Sequence, residues 1–153
     1  MADTSLNESR QSILIWQISN LWQSKIRYLL KKTDLTFNEY LILETLYKLQ
    51  KRMEYISQQD ISLNSSIDRS VVSLKVANLE QKKLINRLQS IDKRSNSLNI
   101  TNKGILIIEN LISNIENEEK IIFEKLGSEL FNFTNSLKLL LGRKIRIKAK
   151  YND

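Results

Sequence analysis

Between Ile67 and Lys103 the chain places eight basic residues, Arg69, Lys75, Lys82, Lys83, Arg87, Lys93, Arg94 and Lys103, against the three acids Asp68, Glu80 and Asp92, a local charge of +5. Cations at this density attract a polyanion, with nucleic acid and an anionic membrane surface the two candidates that charge alone offers. Part of the segment has helical spacing. There Arg69, Ser70, Ser73, Leu74 and Ala77 share one side, and Val72, Val76 and Leu79 share the other. A helix whose outward side is small or polar can enter a major groove, where short side chains permit close approach to base edges. Leu74 and Ala77 suit thymine methyls, and Arg69 is the one residue on this face able to grip a guanine through two hydrogen bonds.

Other residue types narrow the chemistry by their absence. The 153 residues include no His and no Cys. The commonest general base and metal ligand is therefore missing, and so are disulfides, thiol redox sensing and thiolate metal sites. No acidic cluster has the spacing that gathers a metal. The expectation is a binding protein, not an enzyme, with no metal and no cofactor. No 18-residue apolar run occurs and Met1 to Arg10 is polar, so neither a membrane span nor a signal peptide is expected and the cytoplasm is the default compartment.

The elements that must position the basic face follow from periodicity. A net charge of +7, 41% hydrophobic and 27% charged residues, three Gly and no Pro describe one globular domain, 1–153, with long helices. Leu6 to Lys32 reads as a helix on Ile15, Ile18, Trp22, Ile26, Leu29 and Leu30. Thr36 with Glu39 fits a capping box opening a second helix that runs to about Leu49. Ser57 with Asp60 opens a short third helix ended by Asn64, Ser65 and Ser66, and a fourth begins near Ile67. Two short helices joined by a polar turn make a helix-turn-helix candidate. Leu84 to Ser90 and Leu98 to Thr101 alternate like the strands of a hairpin with a charged tip. Thr101 then caps a helix from about Asn102 to Leu126, with Ile105, Ile108, Ile112, Ile115, Ile122 and Leu126 on one side. Gly127 and Ser128 break it, and a last helix covers Glu129 to Ile147 with Leu130, Phe133, Leu137, Leu140 and Leu141 inside. The end helices are more apolar than a lone subunit requires.

The stretch from Leu35 to Gly104 resembles the MarR family of winged-helix regulators. The resemblance rests on Leu35-Thr36 with Tyr40 and Leu43, Ser70-Val71-Val72-Ser73, Leu79-Glu80, Leu84-Ile85 with Arg87, Asp92-Lys93-Arg94-Ser95, and Ile100-Thr101-Asn102-Lys103-Gly104. It implies a mainly α fold: a winged helix-turn-helix over 35–104 with a two-stranded β wing, flanked by dimerisation helices over 6–32 and 105–147. It implies a homodimeric repressor of transcription that binds double-stranded DNA and whose affinity a small aromatic ligand can modulate. The expected DNA contacts are Ser57, Gln58, Ser66, Arg69, Ser70, Ser73, Leu74, Lys75, Ala77 and Asn78, with Lys93, Arg94 and Ser95 on the wing. Asp92 and Arg94 would brace the wing, and an Arg at its tip suits the narrow minor groove of A·T tracts. With two heads, this points to an A·T-rich, pseudo-palindromic operator.

Two departures from the family pattern stand out. Lys83 occupies the position of the usual Gly before the first wing strand, where a left-handed cap costs on the order of 1 kcal/mol for any other residue, so the helix is expected to end differently. Leu74-Lys75 replaces the usual Arg-Leu, which removes a base-reading Arg and leaves Lys75 to reach a phosphate from a half-buried site. A winged helix that binds another protein and has lost DNA reading is the alternative. Trp16, Trp22, Tyr40 and Tyr47 line a ligand pocket in one reading and the core in the other. The basic run Arg143, Lys144, Arg146, Lys148 and Lys150 either complements a helix end or contacts an anionic partner.

Overall fold

Thr36 opens the helix that organises the core. Its Oγ accepts from the Glu39 amide and the Glu39 carboxylate accepts from the Thr36 amide, so two amides that a helix start leaves unpaired are satisfied reciprocally. The computed structural model describes residues 9–89 and 96–147. In chain order the elements are α1 (Gln11–Leu30), α2 (Phe37–Leu49), α3 (Gln58–Ser65), α4 (Arg69–Gln81), β1 (Ile85–Gln89), β2 (Asn96–Ile100), α5 (Asn102–Phe123), a 3-10 helix (Glu124–Glu129) and α6 (Leu130–Leu140). The mainly helical winged architecture is the expected one. None of these helices is long and apolar enough to cross a membrane.

The chain forms two compact units, Met1–Glu116 and Asn117–Asp153. The buried hydrophobic core lies in the first. Ile26 and Leu30 of α1, Tyr40, Leu43 and Leu46 of α2, Ile61 of α3, Val72, Val76 and Leu79 of α4, Leu98 and Ile100 of β2, and Ile108, Leu111 and Ile115 of α5 form one cluster. β1 and β2 pair antiparallel with Ile85 opposite Ile100 and Arg87 opposite Leu98. The base of this hairpin is tied to the helices. Leu98 donates its amide to the Ile56 carbonyl at 2.8 Å, and the Gln50 side chain accepts from the Ile100 amide at 2.7 Å while donating to Asn99.

The end of α4 corrects one expectation. Lys83 takes a positive φ of 59°, the Leu84 amide bonds back to the Leu79 carbonyl and the Lys83 amide to the Glu80 carbonyl. This is a Schellman ending with Lys where Gly is favoured. The helix therefore ends in the left-handed way despite the cost, because the buried Leu84 and Ile85 must follow at once.

In the second unit none of the described residues is buried. Expected interior positions Leu140 and Leu141 are 75% and 63% exposed, which corrects their assignment to an inside. The last helix also stops earlier than the leucine pattern suggests. Gly142, at φ 68°, closes α6 with the Arg143 amide on the Lys138 carbonyl. The following segment is held by Asn135, whose side chain donates to the Arg146 carbonyl at 2.7 Å and accepts from its amide at 3.1 Å.

Candidate nucleic-acid interface

α3 and α4 are joined by Ser66, Ile67 and Asp68. α4 thus begins at Arg69, two residues later than the pattern suggests, because Asp68 adopts an extended N-cap conformation. The turn is held locally: Ser66 is left-handed at φ 59°, its amide bonds to the Ser62 carbonyl, and the Ser62 hydroxyl donates to the Ile67 carbonyl at 2.7 Å. α3 opens on a second capping box, in which Ser57 Oγ accepts from the Asp60 amide and donates to Asp60 Oδ2. The Ser57 hydroxyl is therefore engaged in the cap, and Gln58 beside it is half-buried.

α4 divides cleanly by face. Val72, Val76 and Leu79 have no exposure, whereas Arg69, Ser70, Ser73 and Leu74 are exposed and Leu74 reaches 61%. Ala77 and Asn78 are half-buried at the edge of this face, and Ser66 is exposed in the preceding turn. The outward surface is one cation, two hydroxyls and a leucine, which fits a groove of mixed donors, acceptors and methyl groups. Asp92, Lys93, Arg94 and Ser95, expected at the wing tip, lie outside the described residues.

Lys75 does not join that face. Its Nζ lies 4.0 Å from Glu39 Oε1, and its side chain is 21% exposed. Lys82 turns to the same carboxylate, donating to Glu39 Oε2 at 2.7 Å and to the Asp34 carbonyl. In this structure a buried anion of α2 draws Lys75 inward. Glu39 is 2% exposed. Burial pushes its carboxyl up, but the Lys82 bond, the Thr36 amide and the charges of Lys82 and Lys75 outweigh that and hold it below the usual 4.5. It is therefore charged throughout the neutral range. Arg87 likewise pairs with Glu80, and Lys103 donates to the Lys82 carbonyl at 3.2 Å. Much of the +5 segment thus braces the head. Arg69, Lys83 and Lys103 are its exposed cations outside these ion pairs among the described residues.

Sequence reasoning found Glu39 as a cap and missed it as an anchor, because Lys75 and Lys82 lie far along the chain. Gln50 and Asn99, which tie α2 to the wing base, carry no local signal at all.

Trp22 and Tyr40 both pack against Phe37, with ring centres 5.3 and 6.3 Å away. Tyr40 is 1% exposed and belongs to the core. The Trp22 contact is edge-on, and Trp16 is 62% exposed. Tyr47 stands elsewhere: its hydroxyl donates to Glu109 at 2.8 Å, Lys51 Nζ lies 4.4 Å from its ring centre, and it lines a shallow cavity of about 260 Å³ with Ile112 and Ser113.

No family sequence profile and no curated protein sequence matches the chain. Solved structures do. The Staphylococcus aureus MepR–DNA complex is 27% identical, with a TM-score of 0.78 over 89% of this chain and 97% of that one. MepR in its DNA-binding conformation is 28% identical, with a TM-score of 0.75 over 86% and 96%. A MarR family protein from Bacillus stearothermophilus shares the fold at 19% identity, with a TM-score of 0.66 over 86% and 90%.

Proposed function

We propose that the chain is a winged helix-turn-helix regulator of the MarR family, a cytoplasmic, homodimeric repressor that occludes a promoter, acting by binding and not by catalysis; its likeness to the MepR–DNA complex supports this. The observation that carries this reading is the outward face of α4, where Arg69, Ser70, Ser73 and Leu74 are exposed on a helix otherwise locked into the core. Two copies place two such helices in successive major grooves, about one helical turn apart. The exposed leucines of α6 support the second copy, since a lone chain leaves them in water. Lys93, Arg94 and Ser95 act from the wing, with Asp92 bracing Arg94. Ser66 and Asn78 flank the α4 face, and Gln58 and Ala77 complete it. Hydroxyls discriminate bases poorly and Leu74 favours a methyl, so the operator is A·T-rich and pseudo-palindromic. A small aromatic effector modulates the affinity, as 6-hydroxynicotinic acid regulates DNA binding by the Bordetella bronchiseptica protein BpsR.

A mobility-shift titration on the protein's own promoter at graded salt tests this. With Lys75 withdrawn, Arg69, Lys93 and Arg94 from each of two chains make about six phosphate contacts, and log affinity falls against log salt with a slope of about −5. A slope shallower than about −2 turns the reading to a winged helix that docks on another protein.

A further inference from the structure

Among the described residues two polar side chains are buried, Glu39 and Ser97. Glu39 stands out because both of its carboxylate oxygens are taken by the helix that faces DNA in the function proposed above. Oε1 faces Lys75, and Oε2 accepts from Lys82 at 2.7 Å. The two lysines are seven positions apart, which is close to two turns, so they project from nearly the same side of α4 with an axial separation of about 10 Å. Two attachments to one point add a polar hold on the roll of a helix that Val72, Val76 and Leu79 pack into the core. The anchor itself is fixed: Glu39 is held in the capping box by the Thr36 amide at 3.3 Å and sits next to the buried Tyr40. Asp34 adds a second hold on Lys82, through its carbonyl and its carboxylate at 3.8 Å.

We propose that Glu39 is a positioning residue for DNA reading: by holding Lys75 and Lys82 it sets the roll of α4 and so aims Arg69, Ser70, Ser73 and Leu74 at the groove. This rests on the DNA-binding function. Glu39 touches no DNA, and its effect is on specificity. Release of the two lysines adds cations to the surface while the reading face loses its aim, because both side chains are already a fifth to a quarter exposed and can extend into water. Unspecific attraction rises as discrimination falls.

Affinities for the protein's own promoter fragment and for a shuffled fragment of the same composition, each measured over a range of salt, test the proposal. In Glu39→Gln the ratio of specific to non-specific affinity falls about tenfold, the scale of one mismatched base pair. The salt slope steepens by about 0.9 for each lysine that meets a phosphate. Thr36→Val removes the cap hydroxyl and leaves both lysines in place; it keeps the parent's ratio, and a drop equal to that of Glu39→Gln would show that Glu39 is only a cap. Lys75→Met lowers the ratio and leaves the slope unchanged. Uniform weakening on both fragments, with a slope shallower by about 0.9 per chain, would return Lys75 to the phosphates and overturn the proposal. Amide hydrogen exchange on the free protein needs no DNA: α4 exchanges faster in Glu39→Gln while α5 keeps the parent's rates, and unchanged α4 exchange overturns the proposal. Failure of the parent to prefer its promoter would instead sink the DNA reading itself. If Glu39→Gln does not fold, the ratio and exchange of Lys82→Met decide, with the same signs.

Discussion

The first compact unit and the second are built on opposite principles. Within Met1–Glu116, five helices and the hairpin bury side chains such as Ile26, Leu43, Leu46, Ile61, Val72 and Ile108 to zero or nearly zero exposure. Within Asn117–Asp153 none of the described side chains is buried, and Leu139, Leu140, Leu141 and Ile147 are more than half exposed. Both regions are rich in isoleucine and leucine, so composition does not separate them. What separates them is how much of that apolar surface the chain itself covers. The first unit closes a core and leaves Leu14, Ile15, Trp16, Ile18 and Leu21 of α1 exposed; the second buries no described side chain.

A matched pair of substitutions puts that contrast at risk. Leu46→Ala removes a side chain with no exposure and lowers stability by about 2–5 kcal/mol. In a denaturant titration, its difference from the parent is the same at every protein concentration. Leu140→Asp, at a position 75% exposed in the chain, leaves the fold of the first unit intact and converts the proposed dimer to a monomer in sedimentation velocity. A difference between Leu140→Asp and the parent that stays the same at every protein concentration, as for Leu46→Ala, would erase the distinction.

A smaller effect sharpens it inside the first unit. A Cβ on Gly104 would overlap the Leu84 carbonyl oxygen and come within 2.7 Å of Ile100 Cγ1. Gly104→Ala is therefore destabilising by about 1–3 kcal/mol despite alanine's better helix propensity, and the thermal midpoint should fall. A midpoint equal to the parent's would mean that this packing yields more readily than a closed core does.

The smallest effect compares two helix ends of the same type. α4 and α6 both finish in a Schellman ending, with Lys83 in the left-handed position of one and Gly142 in that of the other. Lys83→Gly relieves the strain of a non-glycine residue and stabilises by about 1 kcal/mol, read as a higher thermal midpoint. If Lys83 contacts DNA, the same variant loses affinity while gaining stability, and the two measurements together decide.

What was legible in the sequence was local. Thr36 with Glu39 and Ser57 with Asp60 are three residues apart, within one helical turn, so their capping boxes could be read directly. The Val72–Val76–Leu79 stripe and the hairpin alternation are likewise patterns of neighbours. The orientation of Lys75 was not legible, since the carboxylate that draws it inward belongs to α2. The tie from Gln50 to Asn99 spans 49 positions and has no pattern to announce it. The aromatic residues were countable but their convergence was not, because Tyr40 turned into the core and Tyr47 elsewhere. Gly142 was a readable stop that the leucine periodicity overran.

A joint without play transmits motion instead of absorbing it. At Thr101 one hydroxyl donates to the carbonyls of Lys83 and Leu84, at 2.8 and 3.1 Å, and accepts from the Gly104 amide at 3.1 Å. The Thr101 amide bonds the same Leu84 carbonyl, against which Gly104 packs too closely for any side chain. The two residues that join α4 to β1 and the first turn of α5 are thus pinned at a single threonine. A tilt imposed on the start of α5 has no slack to fill there. It passes instead through these bonds to the junction between α4 and β1.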